Sequence, residues 1–80
     1  MKKTNENING YAVTLTGWPS VLKRKREIIR TFTELKDSYP GASMYAVAKN
    51  TAMRHDISPG QVLNIVKEAG FEPWNTSLLK

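Results

Sequence analysis

The chain has 80 residues, a net charge of +5, one histidine and no cysteine. This length allows one small domain with a limited core. The composition excludes disulfides, thiolate metal sites and multi-histidine metal sites, and no stretch approaches the roughly 20 apolar residues that cross a bilayer. The polar start MKKTNENING is not a signal peptide, because no apolar run follows its two lysines. We therefore expect a cytoplasmic protein without a membrane partner, a metal or another cofactor.

The excess positive charge lies in one segment. Residues 23–30, KRKREIIR, hold five basic groups and one acidic group, whereas residues 31–80 hold five of each. A basic cluster of this kind attracts phosphates or anionic lipid headgroups, but an ordinary solvated helix start has the same composition. Charge by itself therefore leaves both interpretations open.

The N-terminal part of the chain predicts one turn and one short strand. Residues 1–10 are polar and lack periodicity, so we expect a flexible N-terminus with a turn at Asn9-Gly10. Residues 11–16, YAVTLT, alternate and are rich in β-forming residues, which indicates a strand. This strand needs a helix or another strand beside it, because a lone strand is not stable in water. We expect Trp18, in the break that follows, to fold back over the core.

A first helix is expected to be capped by Ser20 and to end near Ser38. Its apolar face on a helical wheel comprises Val21, Leu22, Ile28, Ile29, Phe32 and Leu35, and the opposite face comprises Lys23, Arg26, Glu27, Arg30, Glu34 and Asp37. Arg24 and Lys25 fall at the edges of the apolar face. Either the first turn projects beyond the core, or these two side chains run along the core with their charged ends in solvent.

Two further helices are predicted, each with a serine cap. Tyr39-Pro40-Gly41 ends the first helix, and Ser43 caps a second helix over residues 44–55. The third helix runs from Ser58 to Ala69, with a proline at its first position and Gly70 as its left-handed stop. The buried faces are expected to be Met44, Val47, Ala48 and Thr51 in the second helix and Val62, Ile65, Val66 and Ala69 in the third.

Catalysis finds little support in the residues. The chain has no nucleophilic cysteine, no metal-ligand spacing and no glycine-rich phosphate loop. His55 and Asp56 are adjacent, so on a helix their side chains point about 100° apart and do not form an acid–base pair. We expect His55 to pack at the helix end or to meet the last carbonyl groups. The chain is therefore predicted to bind a partner and not to act as an enzyme.

A helix, a short turn and a capped helix make up a helix-turn-helix, whose second helix can enter the major groove of DNA. On the outer face of the third helix, Gln61 and Asn64 can make paired hydrogen bonds to adenine. Ser58 and the free amides beside it can meet a phosphate. The remaining DNA-binding candidates are basic residues suited to phosphate contacts, namely Arg24, Lys25, Arg26, Lys49, Arg54 and Lys67. The alternative for all of them is an ordinary solvated helix face.

The segment ISPGQVLNIVKEAGF resembles the turn and recognition helix of the helix-turn-helix superfamily. The residues at the matching positions are Ile57, Ser58, Val62, Val66, Ala69, Gly70 and Phe71, with Ala48 at the small position of the preceding helix. The resemblance covers about residues 44–71 and implies a DNA-binding domain. The chain departs from the pattern in lacking the usual glycine of the turn and in having a second helix longer by about one turn.

These observations predict a mainly α fold, a three-helix bundle with a helix-turn-helix. A small winged-helix-like β element would be made by residues 11–16 and 71–74. The domain would span residues 11–74, with a tail at 75–80. The predicted function is binding of double-stranded DNA by a transcriptional or mobile-element regulator of phage or bacterial type, as a homodimer or in a larger complex.

The rival prediction is a protein-interaction module without nucleic acid, such as a phage-type inhibitor or adaptor. Glu68 next to Lys67 makes the third helix less basic than that of many DNA-binding proteins. Exposed Met53, Leu63, Trp18 and Trp74 would then form a surface for a host protein. The salt dependence of DNA binding separates the two predictions.

Overall fold

The computed structural model describes residues 2–70. Two strands, β1 (Lys2–Ile8) and β2 (Tyr11–Gly17), precede three helices, α1 (Pro19–Ser38), α2 (Met44–His55) and α3 (Pro59–Glu68). The strands form one antiparallel hairpin. The three predicted helices and the strand within residues 11–16 are confirmed, but the partner of that strand is β1, and "mainly α" understates a mixed α/β fold.

The hairpin contains the largest difference from the sequence-based expectation. Residues 2–8 form β1 and pair with β2, where a flexible N-terminus was expected. The segment escaped prediction because one face of β1 is open to solvent, and among its residues only Ile8 is buried. The strand over 11–16 is confirmed, whereas its predicted pairing with residues 71–74 lies outside the described residues.

The turn between the strands ties the hairpin to α1. Asn9 and Gly10 have φ values of 52° and 89°, as the favoured two-residue hairpin turn requires, so this predicted turn is confirmed. The Asn9 amide donates hydrogen bonds to the Thr33 hydroxyl at 2.8 Å and to the Arg30 carbonyl oxygen at 3.3 Å. One asparagine thus shapes the turn and holds it on the helix.

Tyr11 makes a second link between the hairpin and α1. Its hydroxyl donates a hydrogen bond to Asp37 at 3.0 Å. Burial raises the pKa of Tyr11, and the hydrogen bond to the Asp37 carboxylate raises it further. The hairpin is therefore fixed along α1 at two points about one helix turn apart, Thr33 and Asp37.

The core lies between the inner face of the hairpin and the three helices. Its largest fully buried apolar side chains are Phe32, Leu15, Ile28, Ile29 and Val62. α2 contributes mainly small residues, Val47, Ala48 and Ala52, so its backbone can approach the other helices closely. The buried hydroxyls of Thr33 and Thr51 donate to carbonyl groups of their own helices, Ile29 and Val47, which satisfies their hydrogen bonding.

The start of α1 departs from the prediction. The helix begins at Pro19, so Trp18 and not Ser20 is the N-cap residue, and its side chain makes no capping hydrogen bond. Trp18 is 63% exposed instead of covering the core, and Val21 is 37% exposed instead of lying on the buried face. Proline is favoured at the first helical position, which explains the earlier start. Val21 lies at the edge of the buried face, beside Gly17 at the end of β2, whereas its neighbour Leu22 is buried.

The turn between α2 and α3 consists of Asp56, Ile57 and Ser58. Asp56 has φ 56° and ψ 46°, so an aspartate holds the left-handed conformation for which glycine is most often used. Ile57 packs against the core. The predicted serine caps of α2 and α3 are confirmed, and so is the left-handed stop at Gly70, which has φ 79°.

Candidate nucleic-acid interface

The outer face of α3 carries the residues expected to enter a groove. Gln61, Asn64 and Lys67 are all exposed, and their spacing of three residues places them on one side of the helix. Val62 and Val66 form the opposite, buried side. Within residues 2–70, the Asn64 side chain has no hydrogen-bond partner, so its amide can both donate and accept.

Gln61 is only partly available, because it belongs to the cap of its own helix. Its Oε1 accepts hydrogen bonds from the Ser58 backbone amide at 3.0 Å and from the Ser58 hydroxyl at 3.4 Å. The Ser58 Oγ in turn accepts from the Gln61 backbone amide at 3.2 Å. A paired contact to adenine needs the oxygen and the NH₂ group together. The spacing Ser-x-x-Gln is itself the sequence signal of this capping box.

Lys25 joins the start of α1 to the end of α3. Its Nζ donates to the Thr16 carbonyl oxygen at 2.7 Å and to the Glu68 carboxylate. Only 17% of the Lys25 side chain is exposed, so its stem runs along the protein surface. The contact brings the basic segment of α1 beside the C-terminal end of α3, but it also compensates the Lys25 charge. A phosphate would have to replace Glu68.

Arg26 is held by the hairpin. Its Nε and Nη2 donate to the two carboxylate oxygens of Glu6, both at 2.6 Å. These charge-assisted bonds hold the pKa of the Glu6 carboxyl below its usual range. Arg26 lies on the predicted solvent side of α1, with 34% of its side chain exposed, but Glu6 of β1 meets it there. The guanidinium links two elements of the fold and is not free for a phosphate.

Four of the predicted phosphate contacts remain exposed without an ion pair inside residues 2–70: Arg24, Lys49, Arg54 and Lys67. They come from all three helices, α1, α2 and α3. Arg54 also lines a groove of about 280 Å³ between the end of α1 and α2, together with Tyr39 and Asn50. Arg54 therefore borders a different surface from the one where Lys25 meets Glu68.

His55 lies at the C-terminal end of α2 and faces α1. Its Nε2 is 2.8 Å from the Thr31 hydroxyl, and the residue is half-buried. The prediction that it packs at the helix end is confirmed. Over residues 2–70, no three His, Asp or Glu side chains come together in a group that could hold a metal ion.

The residues predicted to contact a protein partner do not all lie exposed on one surface of the described fold. Met53 is 73% exposed, as predicted, and Tyr45 on the same helix is 59% exposed, although the sequence had not singled it out. Leu63 is partly buried against the core. Trp18 belongs to the start of α1, and Trp74 lies outside the described residues.

Comparison with known proteins finds no family model, no curated protein and no solved structure that matches the chain. Inside the part of the chain described by the structure, no helix combines the length and apolar character needed to cross a membrane. The functional argument therefore rests on the placement and contacts of the residues themselves.

Proposed function

We propose that this protein binds double-stranded DNA with α3 in the major groove. The observation that supports this most directly is the arrangement of α2, a three-residue turn and α3, in which Val62 and Val66 are buried while Asn64 and Lys67 face solvent. A recognition helix needs this division, because one side must hold it on the domain while the other reaches base edges. The activity is binding, without turnover of a substrate.

Asn64 is the proposed base-reading residue. Its amide is exposed and has no side-chain partner among residues 2–70, so it can offer a donor and an acceptor to one adenine. Gln61 contributes less than the sequence alone indicates, since its Oε1 is engaged with Ser58. The proposed phosphate contacts are made by Arg24, Lys49, Arg54 and Lys67. Lys25 can contact a phosphate only if its ion pair with Glu68 breaks.

The proposed role is that of a transcriptional or mobile-element regulator. α3 has 10 residues, so a single copy presents few base contacts. A homodimer would place two copies of α3 on half-sites about one helical turn of DNA apart. Such an arrangement would raise both the affinity and the length of the sequence that is read.

The decisive experiment is the salt dependence of duplex binding. We expect the anisotropy of a labelled random duplex of about 20 base pairs to report binding whose log–log salt slope is roughly −3 to −4, because four phosphates are neutralised. Affinity should then fall about 100-fold between about 50 and 200 mM salt. No binding at low salt with micromolar protein would reject the proposal.

Two single variants locate the interface. Lys67→Gln should reduce the slope by about one unit and weaken binding to all sequences alike. Arg30→Gln removes the same charge from an exposed position of α1 outside the proposed interface, so it should leave the slope unchanged. Equal slopes for the two variants would contradict the assignment of α3.

Asn64→Ala tests base reading. After a preferred site has been selected from a random duplex library, the variant should lose about 1–3 kcal/mol of discrimination at one base pair. Its affinity for random duplex should stay close to that of the wild type, because no charge is lost. A uniform loss over all sequences would show that Asn64 does not read a base.

A protein-interaction module is the second candidate, favoured by one observation. Tyr45 and Met53 expose large apolar side chains on α2, eight residues apart and on one face. A partner would cover this face and could place an acidic group near Arg54. This candidate predicts no duplex binding at any salt concentration, so the same anisotropy experiment separates it from the first.

A further inference from the structure

We propose that a second surface binds single-stranded nucleic acid and stacks an unpaired base on Trp18. The surface, here called the basic aromatic patch, consists of Lys2, Trp18, Val21 and Arg24, of which Arg24 is also a candidate duplex contact. It lies where the open end of the hairpin meets the first turns of α1. The proposal goes beyond duplex binding by α3 and does not depend on it.

The backbone brings these residues together around Gly17. In the hairpin register, Lys2 lies opposite Gly17 and Lys3 opposite Thr16, and paired residues of neighbouring strands are about 5 Å apart. Because side chains alternate between the two faces of a strand, Lys2 shares the face on which Gly17 meets Val21 of α1, whereas Lys3 lies on the other face. Trp18 follows directly. A Cβ atom at Gly17 would lie 2.8 Å from the Val21 Cγ1, so the first turn of α1 packs against this end of the hairpin.

The Trp18 side chain is neither buried in the core nor used to cap α1. It is 63% exposed, whereas tryptophan is highly buried on average in folded proteins. It occupies the N-cap position of α1 but forms no side-chain capping bond. Val21 beside it is 37% exposed. Neither core packing nor helix capping therefore accounts for an indole ring at this position.

The cations around Trp18 form no ion pair with another of the described residues. Lys2 and Arg24 are exposed and unpaired within residues 2–70, and the same holds for Lys23. Glu6 is engaged with Arg26 and Glu68 with Lys25, whereas Glu27 lies about one helix turn after Lys23 and Arg24. The first turn of α1 contains no acidic residue. Within residues 2–70, the patch is therefore an exposed aromatic side chain beside cations that form no ion pair.

This chemistry fits a single nucleic-acid strand. Proteins that bind single strands combine cations along the backbone with aromatic rings on which bases stack. In a duplex the bases are already stacked on each other, so an exposed indole finds no open base face. A membrane surface needs a broad apolar face, and the apolar part of the patch is limited to Trp18 and Val21.

The test uses the full chain and a labelled oligothymidylate of about 12 nucleotides. Trp18→Ala should weaken binding about tenfold, and Trp18→Phe should retain most of the affinity because a ring remains. Lys2→Gln should weaken binding and reduce the salt slope by roughly 0.7. Tyr45→Ala removes an aromatic side chain that is 59% exposed on α2 and should have no effect.

Two further measurements make the result specific. In a Trp74→Phe background, the oligonucleotide should quench the fluorescence of Trp18, since stacking brings the base against the indole. Trp18→Ala should keep the duplex affinity within about twofold of the wild type, because Trp18 is not part of the α3 interface. Melting temperatures of all variants should match, since the side chain is exposed.

The outcomes separate this proposal from the proposed function. Single-strand binding that depends on Trp18, together with no duplex binding, would support the patch and reject the role of α3. Equal oligonucleotide affinity of Trp18→Ala and wild type would overturn the patch, as would no oligonucleotide binding at all. Binding to anionic phosphatidylserine vesicles in preference to the oligonucleotide would also overturn it.

Discussion

The first and third helices begin in opposite ways. α3 is started by its own residues, because Ser58 and Gln61 exchange hydrogen bonds across the first turn. α1 begins at Trp18 without a side-chain cap, and its first turns are held by contacts with other elements, such as that of Lys25 with Thr16 and Glu68. The start of α3 is stabilised by hydrogen bonds within the helix and is nearly neutral. The start of α1 is stabilised by contacts with other elements and is basic.

This difference shows that a well-formed helix start and an available binding surface are separate properties. The cap of α3 uses Gln61, the polar side chain that groove reading would need. At the start of α1, Trp18 makes no capping bond and Arg24 forms no ion pair with another of residues 2–70. In a domain this small, groups that the fold does not use are better markers of a partner site than the elements with the strongest local signals.

The largest expected effect on stability comes from disrupting the contact between Gly17 at the end of the hairpin and Val21 in the first turn of α1. Gly17 has φ 149°, and a Cβ there would clash with Val21, so Gly17→Ala should lower the free energy of unfolding by about 2–3 kcal/mol. Urea denaturation measures this. Gly41→Ala is the matched control, because a Cβ at Gly41 meets no atom within 4 Å. Equal stability of both variants would show that the hairpin does not depend on this contact.

An intermediate effect comes from the cap of α3. Ser58→Ala should cost about 1 kcal/mol of unfolding free energy, because the first turn loses its acceptor. Gln61→Glu should keep the stability, since glutamate completes the same capping box, while its negative charge weakens duplex binding.

Asn64→Asp is the matched control for Gln61→Glu, with the same charge change but no capping role. It should weaken duplex binding as strongly. Thermal melts and duplex anisotropy together check both variants. Undiminished duplex affinity in either one would place the DNA away from this face of α3.

The smallest effect concerns the link between Glu6 and Arg26. Since hydrogen bonds from Arg26 lower the pKa of Glu6, the ionised carboxylate stabilises the fold. Its contribution is present at neutral pH and is lost as the pH falls through the lowered pKa. Glu6→Gln should cost about 0.5–1 kcal/mol at pH 7, and the difference from wild type should vanish once the pH is below that lowered pKa.

Glu34→Gln is the control for that titration, since Glu34 is exposed on α1 and forms no ion pair within the described residues. It should match the wild type at each pH. A difference between wild type and Glu6→Gln that does not shrink as the pH is lowered through the acid range would mean that the carboxylate charge is not what stabilises the contact.

Sequence reasoning was accurate where signals are short-range. The Asn9-Gly10 turn, the serine caps of α2 and α3 and the stop at Gly70 all follow from backbone preferences of one to four residues. It failed for β1, whose polar residues become a strand only because β2 and α1 lie beside them. It also misplaced Trp18 and missed the pairing of Arg26 with Glu6, because a helical wheel does not show which other element of the fold meets each side.

For the candidate sites too, some features follow from the sequence of one element and others only from the packing of several elements. The amino-acid sequence by itself determined that α3 has one buried face, one polar face and a capped start, since helical periodicity and capping act inside a single element. Only the tertiary structure decided which cations are free. Lys25 and Arg26 are paired with Glu68 and Glu6, and the exposed Trp18 follows Gly17, which pairs with Lys2. These facts depend on how the hairpin, α1 and α3 pack together, and residues far apart in sequence meet only through that packing.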